Sequence, residues 1–251
     1  MTPISNTDLA WEEWGRRDPY FGVITEKKFR LANLDDQART EFFDSGRRHV
    51  DYVMKMIHTY IDRGFHPASI IDFGCGVGRL VVPFARVAQQ VVGLDVSRSM
   101  LDEATRNCAA YGLSNVRLLL SDDELSGLTR EYDLVHSFIV FQHIPPERGR
   151  VILRRLLDIV SPGGVGAIHV LYGKRIHAET YGMPPPKSAN ALHSLIKPVL
   201  APDSDPEMQM NPYLINEFLF LLQSMGVHRL HIEFTDHGGE LGVFIFFRKL
   251  P

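Results

Sequence analysis

Residues 69–79, reading Ser-Ile-Ile-Asp-Phe-Gly-Cys-Gly-Val-Gly-Arg, constrain the fold more than any other stretch of the chain. Ser69–Phe73 is a short apolar run around one carboxylate, the pattern of a strand buried on both faces. Three glycines then alternate at Gly74, Gly76 and Gly78, and Leu80, Val81, Phe84, Ala85 and Val87 follow at helical spacing. A strand that breaks into a glycine turn and opens a helix lets a ligand reach bare backbone. A Cβ would block that approach, and the turn calls for positive φ. The helix N-terminus is expected to add unpaired N–H groups and a partial positive charge. A dinucleotide fold wants glycines at the first, third and sixth positions of such a turn. Counting from Gly74, the sixth position is Arg79, so that pattern fails.

The rest of the chain alternates between strand and helix signals. Gln90–Asp95 is a second buried strand ending in a carboxylate, with Asp95 placed 21 positions after Gly74. Further strands are expected at 115–120, 132–141, 165–171, 227–234 and 241–249, and helices at 41–64, 101–111, 146–160 and 211–225. Asn211-Pro212-Tyr213 reads as a helix start, with Asn211 as N-cap and Pro212 at the first position. The 251 residues fit one α/β domain with additions, and 45% hydrophobic residues suffice for its core. A formal charge of −3 leaves no electrostatic footprint for nucleic acid. Two cysteines, Cys75 and Cys108, make no disulfide framework and suit a reducing, cytoplasmic setting. No basic leader with an apolar core and no membrane-length apolar run is visible in the sequence.

Asp72 at the strand end followed by Gly-x-Gly-x-Gly resembles motif I of the class I S-adenosylmethionine-dependent methyltransferases. Phe141-Gln142-His143-Ile144 and the Ser161-Pro162-Gly163-Gly164 turn look similar to segments of the same family. The resemblance runs from about residue 69 to 249. It implies an α/β fold, a three-layer αβα doubly wound sheet of seven strands in the order 3-2-1-4-5-7-6 with strand 7 antiparallel. It divides the chain into an N-terminal arm or lid, 1–40, and a methyltransferase domain, 41–251, carrying a substrate cap at about 173–210. The implied cofactor is S-adenosyl-L-methionine. Asp72, Gly74, Cys75 and Gly76 would meet its amino-acid end. Asp95 would take both ribose hydroxyls, its two oxygens matching a vicinal diol. Val96 and Met100 would sandwich the adenine. Asp122 would either accept from the adenine amino group or serve turn chemistry. Phe138 at the end of strand 4 joins the cofactor set, and Tyr20 is the lid residue. Arg47 or Arg48 would either pair with the cofactor carboxylate or lie on a solvated face.

Two histidines fall where open α/β sheets bind ligands, His143 after strand 4 and His237 in the last hairpin. Each is either a general base for the methyl acceptor or a structural anchor. His136, inside an apolar run, reads as a satisfied core histidine. No Asn-Pro-Pro-Tyr follows strand 4, and Ser137 and Phe138 stand where metal-dependent relatives carry a carboxylate, so no metal is expected. The implied reaction is methyl transfer to an O or N nucleophile of a small-molecule acceptor, such as a sugar or natural product, with a homo-oligomer left open. A protein or peptide acceptor, or a cofactor-binding subunit without transfer, are the other readings the residues leave open.

Overall fold

The computed structural model describes residues 6–185 and 204–250. Seven strands form one sheet in the order β3-β2-β1-β4-β5-β7-β6. β1 (Ser69–Phe73) lies between β2 (Gln90–Asp95) and β4 (Tyr132–Ser137) and runs parallel to both. β3 (Val116–Leu120) adds in parallel to β2, and β5 (Val160–Lys174) to β4. β7 (Glu240–Arg248) is antiparallel to β5 and to the edge strand β6 (Leu230–His237). All five residues of β1 are buried, as a strand covered on both faces requires. The chain leaves β1 toward β2 on one side and returns to β4 on the other. A crevice therefore opens at the C-terminal ends of β1 and β4, the topological switch point.

Helices cover both faces. On one side α3 (Asp36–Met56), α4 (Val81–Phe84) and α5 (Arg98–Ala110) bury Phe42, Val53, Phe84 and Met100 together with Phe244 and Phe246 of β7. On the other, α6 (Pro146–Asp158) and α7 (Ile215–Ser224) bury Leu153, Leu156, Phe218 and Leu222 against Val135, Ile168 and Ile245. Two N-terminal helices, α1 (Asn6–Arg17) and α2 (Pro19–Val23), lie beside the start of α5. Among the described residues no helix is long and apolar enough to cross a membrane.

Several elements differ from the sequence expectation for local reasons. α3 begins five residues earlier than expected, because Asp35 caps it by accepting from the Ala38 N–H at 2.7 Å. It ends in a π-turn over Ile57–Ile61. The helix after the glycine turn is a single short turn, too brief to present a helix N-terminus to a ligand. Asn211 is not an N-cap. Its backbone N–H and its side-chain amide both go to the Gln142 carbonyl, at 2.6 and 3.1 Å, so residues 211–213 stay outside the helix and α7 starts at Ile215. The last hairpin turns tightly on Gly238 and Gly239, both at positive φ, and so His237 pairs with Glu240 inside the ladder. The expected cap at 173–210 includes residues 186–203, which lie outside the described residues, as does the short helix expected near 191–197.

Candidate active site

The crevice holds a cavity lined by the glycine turn, the ends of β1, β2 and β4, and the N-terminal arm. Of the residues singled out from sequence, it brings together Asp72, Gly74, Cys75, Gly76, Asp95, Val96, Met100, Phe138 and His143. It does not include Tyr20, Asp122 or His237.

The turn works by shape. Gly74 has φ +74°, and a Cβ there would meet Val140 Cγ2 at 2.3 Å. Gly76 has φ +52°, and its Cβ would meet Val23 of α2 at 2.7 Å. The turn amides are already used: Gly74 and Cys75 both donate to the Leu94 carbonyl, at 2.8 and 2.9 Å, and Gly76 donates to Asp95 Oδ2 at 2.8 Å. These bonds sew the end of β1 to the end of β2. The turn thus offers a ligand close approach, and the polar groups for it come from side chains.

Asp95 is the first of these. Its Oδ1 also accepts from the Ser97 N–H at 2.9 Å. Burial pushes its carboxyl up to about 6, and the two backbone donors restrain that rise. Arg79 is the second, and its role was not read from the sequence. It lines the cavity, and its Nε is buried without a partner among the described residues, while one terminal nitrogen donates to Ser45 Oγ at 3.3 Å. Burial lowers its pKa to about 10, with Asp72 acting the other way. Its place as the last residue of the glycine turn, pressed against Gly46 of α3, was the available signal. Arg47 and Arg48 are exposed instead, with Arg47 pairing to Asp44 and Asp51.

After β3 the two neighbouring acids divide their tasks. The Asp122 carboxylate accepts from the Ser126 N–H at 2.9 Å and from its hydroxyl, closing a turn. Asp123 lines the cavity and receives Arg148 in a forked pair, 2.7 and 2.8 Å from Nε. Arg148 Nη1 continues to Asp8 of α1 at 2.6 Å. Burial opposes the Arg148 charge, and Asp123 and Asp8 more than offset it, so its pKa is raised.

The arm closes the cavity from outside. Glu12 accepts from Ser97 Oγ at 2.8 Å and from Ser99 Oγ at 2.6 Å at the start of α5, where the helix dipole favours an anion. Thr7 Oγ1 donates to the His143 carbonyl at 2.7 Å. Trp11 and Val23 line the cavity directly. Tyr20 is an anchor behind it. Fully buried, it donates to Glu103 at 2.6 Å, lies 2.9 Å from Asn107 and receives Arg39.

His143 sits in the 3₁₀ turn Phe141–His143, edge-on to Trp11 with ring centroids 4.8 Å apart. Its Nδ1 lies 2.8 Å from the Gln209 carbonyl. A carbonyl only accepts, so Nδ1 carries the proton and Nε2 keeps a lone pair. Burial lowers its pKa to about 4, so the ring is neutral at neutral pH. His237 is exposed, 6.1 Å from the Phe138 ring and 5.6 Å from that of buried His169.

Residues 70–164 match the family described as methyltransferase domain. The chain is 33% identical over 150 residues to aklanonic acid methyltransferase DauC of Streptomyces sp. strain C5, covering 58% of this chain and 63% of that protein. It is 31% identical over 163 residues to a ubiquinone biosynthesis O-methyltransferase of Methylocella silvestris, covering 64% and 60%. The chain thus spans less than two thirds of the length of these relatives. Among solved structures, the magnesium protoporphyrin IX methyltransferase of Synechocystis with bound SAM superposes with TM-score 0.60 over 99% of both chains at 17% identity. The N-methyltransferase NodS of Bradyrhizobium japonicum, in complex with S-adenosyl-L-homocysteine, gives 0.60 over 98% of this chain and 99% of its own at 11% identity. The glycine turn and the strand-end carboxylates Asp72 and Asp95 lie within the segment that matches the methyltransferase domain, and the fold of the chain is similar to that of these solved methyltransferases.

Proposed function

We propose that the chain binds S-adenosyl-L-methionine in this cavity and transfers its methyl group to an oxygen or nitrogen of a small-molecule acceptor. The observation that carries the reading is the pairing, across one cavity, of a strand-end carboxylate with a buried guanidinium. Asp95 offers acceptors beside the glycine turn, and Arg79 keeps an unpartnered Nε within it. The residues fit the cofactor: the glycine turn lines the cavity with bare backbone, Asp95 suits a vicinal diol, and Arg79 suits a carboxylate. When bound, the cofactor supplies an electrophilic methyl group on a sulfonium.

The chain's own contribution is alignment, which in favourable intramolecular cases amounts to about 7–11 kcal/mol. Val96 and Met100 shape the apolar wall for the adenine, and Asp123, beside Arg148, takes the polar position expected of Asp122. The arm of residues 1–40 acts as the lid, with Trp11 and Val23 excluding water. Phe138 forms the wall between this cavity and the approach from β5 to β7, where the acceptor enters beside His237. The named O-methyltransferase relatives favour a hydroxyl acceptor.

Calorimetry on cofactor-stripped protein tests the first half. Saturable binding of S-adenosylmethionine and S-adenosylhomocysteine is expected, weakened at least tenfold in Asp95→Ala. Absence of binding by the wild type refutes the reading. Methyl-tritiated cofactor incubated with a pooled library of hydroxyl- and amine-bearing small molecules tests the second half, and a labelled product separates an enzyme from a cofactor-binding subunit.

A further inference from the structure

Behind the cavity, on the α3 side of the sheet, Asp72, His136 and His49 form a hydrogen-bonded chain. Asp72 Oδ1 lies 2.8 Å from His136 Nδ1, and His136 Nε2 lies 3.1 Å from His49 Nε2. Asp72 and His136 are both buried. A carboxylate only accepts, so His136 carries its proton on Nδ1. Its Nε2 is then a lone pair, and His49 must place its own proton on Nε2. The remaining lone pair therefore sits on His49 Nδ1. That atom is not among the buried polar atoms sealed without a partner, although its residue packs tightly. The His49 ring centroid is 4.2 Å from that of Phe138, the wall residue.

The environment shows what such a nitrogen can do. His49 faces His136 from β4, Arg79 from the glycine turn, His169 from β5, Phe244 from β7 and Tyr52 from its own helix. Burial first, and then the cost of gaining a charge beside His136, Arg79 and His169, hold its pKa well below the usual imidazole range. The ring is therefore neutral at neutral pH, with its lone pair available. An isolated base of that kind would keep a proton poorly. Here the charge can move one ring inward, where a His136 imidazolium would rest against Asp72. His143 has no such outlet, because its only hydrogen-bonded ring nitrogen faces a neutral carbonyl.

Resting on the methyl-transfer reading above, we propose that an acceptor hydroxyl gives its proton to His49 Nδ1, with His136 and Asp72 as positioning groups that carry the charge away. The O–H bond breaks, and its electron pair stays on the acceptor oxygen for attack on the methyl carbon. The proton goes to His49 Nδ1, while the proton on His49 Nε2 passes to His136 Nε2. The pair of the bond that the methyl group leaves remains on sulfur.

Nitrogen-15 NMR of histidine-labelled full-length protein tests the relay without any acceptor. At neutral pH, His136 is expected as the Nδ1–H tautomer and His49 as the Nε2–H tautomer. A His49 with its proton on Nδ1 overturns the proposal. In the pooled-library assay, His49→Gln is expected to lower transfer by about 100-fold or more while S-adenosylhomocysteine affinity stays within about threefold. Between pH 6 and 8 the wild-type rate is expected to be flat, whereas His49→Gln should accelerate about tenfold per pH unit as hydroxide replaces the lost base. Undiminished transfer by His49→Gln overturns the relay. A wild type that binds neither cofactor nor product refutes the methyl-transfer reading instead, and the tautomer spectrum still decides the hydrogen-bond chain.

Discussion

The two sides of the crevice are built from different materials. The β1–β2 side is backbone: positive-φ glycines, two main-chain hydrogen bonds between neighbouring strand ends, and one carboxylate receiving two main-chain donors. The β4–β7 side is side chain: Phe138 surrounded by His49, His169 and His237, each held by contacts from a different element. A site made of backbone tolerates almost no added volume, because the main chain cannot rotate away. A site made of side chains can be rebuilt one ring at a time. The first arrangement suits a ligand that never changes, and the second an acceptor that differs between relatives.

That contrast can be broken most sharply at Gly74. Gly74→Ala places a Cβ against Val140 in a left-handed conformation, and a loss of about 2–4 kcal/mol in stability is expected by urea denaturation. S-adenosylhomocysteine binding should disappear with it. Normal binding would mean that the turn's shape is dispensable.

Arg79→Met should follow, weakening S-adenosylhomocysteine by about 1.5–3 kcal/mol, the range for a charge-assisted bond, with little change in melting temperature. Its buried Nε has no partner among the described residues, and the guanidinium loses only a long 3.3 Å bond to Ser45 Oγ. An unchanged affinity would remove the guanidinium from the site.

Asp95 sharpens the comparison through pH. Its raised carboxyl is ionised above about 6 and protonated below. Only the ionised form accepts from both hydroxyls, so affinity measured by calorimetry should fall about tenfold from pH 7 to pH 5. Asp95→Asn should be weaker and nearly pH-independent. The stability of the free protein moves the other way. The folded pKa exceeds the unfolded value, so the native state holds more protons between about 4 and 6, and this group's contribution declines as pH rises through that window.

The smallest effect on cofactor affinity belongs to the anchor. Tyr20→Phe removes a hydroxyl that serves Glu103, Asn107 and Arg39, and should cost about 1–3 kcal/mol of stability. Cofactor affinity should change by less than threefold, because Tyr20 does not line the cavity. A larger change in affinity would place it in the lid itself.

The same division explains what the sequence could reveal. Alternating glycines, a carboxylate at each strand end and buried apolar runs are local patterns, and from them the strands, the turn and the position of Asp95 could be read, whereas the sheet order came from the family resemblance. Arg79 was hidden by position, since an arginine opening a helix looks like a surface residue until α3 is laid over it. Asp122 and Asp123 are adjacent, and only the Ser126 turn and the Arg148 fork tell them apart. His136 read as a satisfied core residue, which its bond to Asp72 makes it. Its second bond, to a helix 87 positions earlier, depends on tertiary packing that no spacing encodes.

Ser97 joins three structures in one residue. Its amide is held by Asp95, its hydroxyl receives the Met100 N–H, and the same hydroxyl donates to Glu12. A pull on the Asp95 carboxylate is thereby delivered to the amino-terminal helix through a joint two bonds long. Occupancy of the cavity should accordingly be visible as a change in the intrinsic fluorescence of Trp11 and Trp14, so that the protein reports its own loading without a label.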